Sequence, residues 1–406
     1  MLVKKGSRVL GIWLFLSVAM IPSNSKAVQY SIESNIYTAL EYHDNIFLTS
    51  QEHDSVSKIL VAPSARMTAK ERNWESFLNA RLGSNNYSDH NLDSNDTFID
   101  ASGNYVNERD IYTVTAGYDK DSNLNVLSSD FGVTGKRVNH RLWSVSPKYT
   151  RLLTERMNFS ISYNHTDVEY EDIFNTGYVP YDLDALTGSF IYSLDEKNRI
   201  SFIIQKSDYS SKDDSVFYKL LISRISIEHQ FSELWKADLT IGGSRRNTTN
   251  RITQTFDFFG QPISQTQDID YSDKGYVFDL GIEKKHETGS FSTRISRDNA
   301  ANSYGGLNQV DTMRIAFNEN VSKLWRYALN ARYENTTTVS GARRSTDRKT
   351  LIFEPIFYYD IDRNWTVSWS YRYIQRKFIK NAIDSTPHSN RFFIGLTYNF
   401  PEMSTY

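Results

Sequence analysis

The residues best suited to chemistry are scattered through this chain. Its eight histidines (His43, His53, His90, His140, His165, His229, His286 and His388) form no H-E-x-x-H pair. No G-x-S-x-G elbow or G-x-x-x-x-G-K-[ST] loop occurs. There is no cysteine, which removes thiol nucleophiles, disulfides, cysteine-ligated zinc and a lipid-modified N-terminal cysteine. Asp119-Lys120-Asp121-Ser122-Asn123 opens like a calcium loop. Leu124, however, stands where the sharp-turn glycine belongs, and Asp130 replaces the closing glutamate. That segment, like Asp268, Asp270 and Asp273, reads as solvated loop. No catalytic residue, metal site or cofactor is expected, although a site built from residues distant in sequence would leave no local motif.

What recurs is alternation. Met157-Phe159-Ile161-Tyr163 alternate with Asn158-Ser160-Ser162-Asn164, and the same texture marks Tyr276–Ile282, Trp365–Tyr373 and Phe392–Phe400. Period two means strands with one apolar and one polar face, and no comparable stretch has a helical period. Short charged turns centre near Arg72, Arg109, Arg156, Lys197, Glu233, His286, Lys323 and Arg363, spaced 36–53 residues apart. Eight short turns separate nine hairpins, which predicts about 18 strands, with 16 as the alternative count. Between them lie longer polar connections: Asp44–Ser57, Asn85–Asp96, Lys120–Asn139, Ser207–Ser215, Arg246–Asp273 and Gln375–Ser389. Short turns at one end and long polar loops at the other are the pattern of an all-β, transmembrane, antiparallel up-and-down barrel of an outer membrane. In it the short turns are periplasmic and the long loops extracellular.

Composition fits that architecture. Aromatic residues make up 14% of the chain, including 26 Tyr and 23 Phe, yet only 39% is hydrophobic. A barrel resolves the tension, because lipid covers one face of the sheet and water fills the inside. Trp74, Trp235, Trp325 and Trp365 each begin a strand leaving a short turn, and Tyr112, Phe159, Phe202 and Phe291 hold comparable places in the other hairpins. These eight are expected to form a periplasmic aromatic girdle. At the N-terminus, Lys4, Lys5 and Arg8 precede the apolar run Val9–Ile21 and then Ser25-Lys26-Ala27. This predicts a secretory signal peptide over 1–27, cleaved after Ala27, with 28–406 a single barrel domain. Removing its four basic residues leaves 42 Lys and Arg against 48 Asp and Glu, so nothing favours nucleic acid.

If the apolar set faces lipid, the alternate set faces the lumen. There Arg81, Arg224, Arg294, Arg314, Arg332 and Arg372 offer sites to anionic solutes or merely balance neighbouring acids. Phe77, Phe98, Tyr358 and Phe393 fall on the same polar register and present flat faces to sugar rings or to inward-folded loops. A register slip of one residue would reverse all of these.

Asp44-Asn45-Ile46-Phe47 after the first strand and Pro63-Ser64 in the second resemble motifs of the β-barrel porins encoded with exopolysaccharide-biosynthesis genes. His43 stands where a second acid is common in that family. The resemblance implies an 18-stranded outer-membrane barrel and a passive, non-enzymatic route for an extracellular polysaccharide. Its partners would be outer-membrane lipids, the barrel-insertion machinery, the polysaccharide and a periplasmic polysaccharide-export protein. A general or small-solute porin is the alternative; a barrel enzyme or loop-based adhesion scaffold is the third reading. The insertion signal, normally a terminal aromatic, is either Phe400 or Tyr406.

Overall fold

The computed structural model describes residues 28–50, 54–124, 137–171, 176–258, 261–340, 347–378 and 386–405. The expected leader and Tyr406 lie outside them. Among the described residues one sheet accounts for nearly everything. Its strands are β1 (Gln29–His43), β2 (Val56–Glu71), β3 (Trp74–Tyr87), β4 (Ser94–Asn107), β5 (Asp110–Ser122) and β6 (Asn139–Leu152). There follow β7 (Met157–Glu171), β8 (Tyr181–Ser193), β9 (Asn198–Ser211), β10 (Val216–Gln230), β11 (Trp235–Phe258) and β12 (Gln261–His286). The last are β13 (Gly289–Asn302), β14 (Gly306–Asn320), β15 (Trp325–Ser340), β16 (Arg348–Asp360), β17 (Trp365–Phe378) and β18 (His388–Asn399). A short β19 (Met403–Thr405) and a single 3-10 turn at His90–Leu92 complete the set.

Each strand pairs antiparallel with its chain neighbours, and β1 pairs with β18 from Asn35↔Asn399 to His43↔Arg391. The 18-strand sheet therefore closes, and a closed sheet has no unpaired edge to expose in lipid. Phe400 donates its N–H to the Ser34 carbonyl at 2.9 Å, and β19 pairs beyond it with Tyr30–Ile32. Pro401, which has no N–H to give, marks the break between β18 and β19.

All eight short turns fall where the sequence places them. Three are two-residue hairpins at 72–73, 108–109 and 287–288. The other five share one device: an oxygen-bearing side chain three residues before the strand accepts backbone N–H groups. Thr154 takes those of Arg156 and Met157, Ser232 those of Leu234 and Trp235, and Ser322 those of Leu324 and Trp325. Asp195 and Asp362 do the same for Lys197 and Asn198 and for Asn364 and Trp365. The Asn198 side-chain amide and these N–H groups hold the Asp195 carboxyl below the usual carboxylate range.

Central prolines sit at ladder gaps. Pro63, Pro147 and Pro355 keep their pairing on one side, while the ladder on the other skips them, between β2 and β3, β6 and β7, and β16 and β17 respectively. A missing N–H thus costs one side of each strand only.

The long-loop end differs from expectation in two ways. Asp119–Ser122, read as solvated loop, ends β5, and Asp121 is buried there against His140 at 2.8 Å. Arg246–Asp273, read as a polar loop, is mostly strand: β11 and β12 pair continuously from Trp235↔Lys284 to Phe258↔Gln261 and project past their neighbours. β12 meets β13 only from Phe278 to His286. The Asn, Asp, Ser, Thr and Gln residues there read equally as loop or as strand, and the ladder register runs through them without a break. Across it Arg251 pairs with Asp268 at 2.9 Å and Thr249 donates to Asp270 at 2.6 Å.

Candidate functional site

Register places each side chain on one wall or the other. Following cross-strand pairs, Ser64, Arg81, Phe98, Asp119 and Leu142 share a face, as do Asp238, Gly281, Arg294, Arg314, Arg332 and Ile352. The same rule brings Phe77, Arg224, Tyr358, Arg372 and Phe393 to that face. It is the inner one. Tyr209, Tyr218, Leu220, Ile222 and Val277 lie on it and are buried against Tyr178, Tyr304 and Val138 from distant loops. Val179, between β7 and β8, donates to the Ser303 carbonyl between β13 and β14 at 2.7 Å. A contact between loops six strands apart crosses the mouth of the barrel.

The eight expected girdle residues all lie on the opposite, outer face. Trp74, Trp235, Trp325 and Trp365 open their strands, while Tyr112, Phe159, Phe202 and Phe291 stand two to four residues further in. Neighbours thicken the row: Tyr112 meets Tyr105 and Tyr149, Trp325 meets Tyr359, and Trp365 meets Tyr398 with centroids 4.6 Å apart. A second outer row towards the long loops, which the sequence reading did not single out, includes Tyr42, Phe392, Tyr371, Tyr333, Tyr276, Tyr163 and Trp143. Between the two rows the outer face is apolar, with Ile204, Ile225, Ile241 and Ile394 exposed.

Inside, most of the arginines already hold acids. Arg224 grips both Asp298 oxygens at 2.7 and 2.8 Å, and Arg372 meets Glu354 at 2.6 and 2.8 Å. Arg294 bridges Asp238 and Asp279, and Arg332 holds Glu334. Two glycines make room for these clamps. A Cβ on Gly281 would come within 2.5 Å of Asp238 and 2.8 Å of Arg294, and one on Gly242 would strike the Ser223 carbonyl and the Arg224 stem. Arg314 makes no hydrogen bond or ion pair with another described residue, although it faces Arg294 on one side and Arg332 on the other.

Each of the four lumen aromatics carries a cation. The guanidinium carbons of Arg66 and Arg81 lie 4.0 and 4.2 Å from the ring centres of Phe77 and Phe98. Arg326 covers Tyr358 at 5.1 Å and Arg372 covers Phe393 at 5.2 Å. One face of each ring is thus taken by a cation–π contact. Arg66 and Arg326 were not singled out from sequence, yet both fall on the same period-two register.

Charge is unevenly spread around the wall. β4 and β5 present Asp96, Asp100, Asp119 and Asp121, whereas β14 to β18 present Arg314, Arg332, Arg348, Arg372, Arg376 and Arg391. Towards the loops Arg348, Arg376 and Arg391 are 1%, 7% and 3% exposed, and the Nε atoms of the last two have no hydrogen-bond partner among the described residues. The Asp44-Asn45-Ile46-Phe47 motif is a lock at the closing seam. Asp44 accepts from the Asn390 N–H and side-chain amide, Asn45 donates to the carbonyls of Thr49 and His388, and Ile46 is buried with Val56, Tyr87 and Leu92.

No family model matches the chain, and no curated protein matches it in sequence. Among solved structures it is similar to the ferric-catecholate import receptor Fiu of E. coli K12 in its open form, with 6% identity, coverage of 93% of this chain and 82% of that one, and a TM-score of 0.49. It is likewise similar to OccAB4 of Acinetobacter baumannii (10% identity, 93% and 100% covered, TM-score 0.47). OpdQ of Pseudomonas aeruginosa gives 10% identity, coverage of 92% and 98%, and a TM-score of 0.46. The closed sheet, its apolar outer band between aromatic rows and its polar inner wall give this chain the fold of an outer-membrane β-barrel channel or transporter.

Proposed function

We propose that this barrel is a passive outer-membrane conduit through which an acidic extracellular polysaccharide leaves the cell. The observation that carries the reading is the basic wall of β14 to β18, in which Arg314, between Arg294 and Arg332, has no acidic partner among the described residues. A polyanion moving along that wall meets cations one strand apart. The acids that already hold Arg294, Arg332 and Arg372 keep each contact weak, and conduction needs many weak sites rather than one strong one. The barrel has no energy source, so polymer synthesis behind it drives passage. The resemblance of Asp44–Phe47 and Pro63-Ser64 to exopolysaccharide-associated porins supports the same reading. Deleting the gene should trap acidic polymer in the periplasm, measured as uronic acid or pyruvylated sugar in osmotic-shock fluid. Normal surface polymer in the deletion strain would refute it.

One observation favours a small-solute porin instead. Tyr178, Val179 and the Ser303–Tyr304 turn meet across the mouth, with Tyr178 and Tyr304 ring centres 5.4 Å apart, an obstruction that suits small solutes better than a polymer. Free flux of small acids through reconstituted barrel, together with normal polymer export in the deletion strain, would establish that second role.

A further inference from the structure

Above the apolar band, the outer face changes sign around the circumference. β7 and β8 present acids there: Asp167 and Glu169, paired with Lys212, and Asp182 and Asp184. The next five strands each present a base as the first charged residue: Lys206, Lys219, Arg245, Lys274 and Arg297 on β9 to β13 in turn. The outermost two are neutralised, Lys206 by Asp208 at 2.9 Å and Arg297 by Asp311 at 2.5 Å. The middle three are exposed and form no ion pair among the described residues.

Their arrangement is costly as it stands. Arg245 and Lys274 face each other directly across the β11–β12 ladder, and Lys219 lies one step along from Leu221, the β10 partner of Arg245. Like charges opposed across a ladder destabilise each other. The remaining groups facing them do not relieve this. Asp208, opposite Lys219, gives one oxygen to Lys206 and keeps the other without a hydrogen-bond partner among the described residues, but it does not reach the Arg245–Lys274 pair. Asn247 and Ser272 are neutral; Asp268 and Asp270, higher on β12, hold Arg251 and Thr249. Directly below, Ile204, Leu221, Ile241 and Tyr276 are exposed by 59%, 46%, 56% and 59%, and Arg297 lies over the Tyr276 ring at 4.5 Å. A cationic cluster thus sits immediately above an acyl-chain surface, at the depth where the outer leaflet's headgroups lie.

We propose that Lys219, Arg245 and Lys274 dock the phosphate groups of a phosphorylated outer-leaflet glycolipid whose acyl chains rest on Ile204, Leu221, Ile241 and Tyr276. Guanidinium and ammonium groups suit phosphate oxygens, and the anion supplies the counter-charge that the sheet lacks. The test is native mass spectrometry of the full barrel in detergent with bisphosphorylated lipid A, its dephosphorylated form, or lipid A plus inorganic phosphate. The wild type should retain the bisphosphorylated lipid, bind the dephosphorylated form at least tenfold more weakly, and resist competition by equimolar inorganic phosphate. The triple variant K219Q/R245Q/K274Q, shown folded by heat-modifiable gel mobility, should lose at least tenfold in affinity, while K349Q on β16 should not. Equal binding of the two lipids, unchanged binding by the triple variant, equal loss in K349Q, or displacement by inorganic phosphate would each overturn the assignment. None of these outcomes depends on what passes through the lumen.

Discussion

At the scale of single residues, the inner and outer faces obey different rules, and one position along a strand changes which rule applies. Ile225 on β10 points outward between the aromatic rows, and Ser226, beside it, points inward and accepts a hydrogen bond from Thr240 at 2.9 Å. An arginine at the bilayer midplane of a barrel costs about 2–4 kcal/mol, whereas a lumen substitution costs little. Ile225→Arg should therefore lower unfolding stability in lipid vesicles by about 2–4 kcal/mol, and Ser226→Arg should leave it near the wild-type value in urea titrations. Equal effects, or the reverse order, would mean that the faces are misassigned. The lumen register of Arg81, Arg224, Arg294, Arg314, Arg332 and Arg372 was legible because alternation carries it through every strand. Their partners were not, since Asp298 meets Arg224 from 74 residues away in sequence and nothing local announces the pair.

At the scale of elements, turn chemistry was readable and loop placement was not. Thr154, Asp195, Ser232, Ser322 and Asp362 stand at a constant distance from the strand start, so both their position and their side-chain oxygen are sequence signals. The fold of 176–180 across the mouth depends instead on contacts with Ser303, Tyr304 and Gly305, the last at φ +76° with Val179 where a side chain would stand. The β11–β12 extension is not legible in the sequence, because the Asn, Asp, Ser and Thr between Arg246 and Asp273 suit a loop as well as a strand. The mouth contact predicts an outcome for conductance. Replacing Tyr178 and Tyr304 with serine removes the ring packing that holds the loop to the β13–β14 turn, and single-channel conductance in planar bilayers should rise at least twofold. Unchanged conductance would show that this loop does not narrow the path.

At the scale of the whole molecule, closure was the most legible property, because nine hairpins with one polar face each have few other ways to satisfy their backbone in lipid. The distribution of charge around the closed wall emerged only once β1 met β18. It sets acids on β4 and β5 apart from the arginines of β14 to β18, and it makes Arg314 the cation best placed to meet a passing anion. The most direct test is the reversal potential of the reconstituted barrel under a potassium chloride gradient, for the wild type and for R314Q. The wild type should pass chloride in preference to potassium, and R314Q should shift the reversal potential towards that of potassium. A cation-selective wild type, or identical potentials for the two proteins, would contradict the account of the basic wall as the conducting surface.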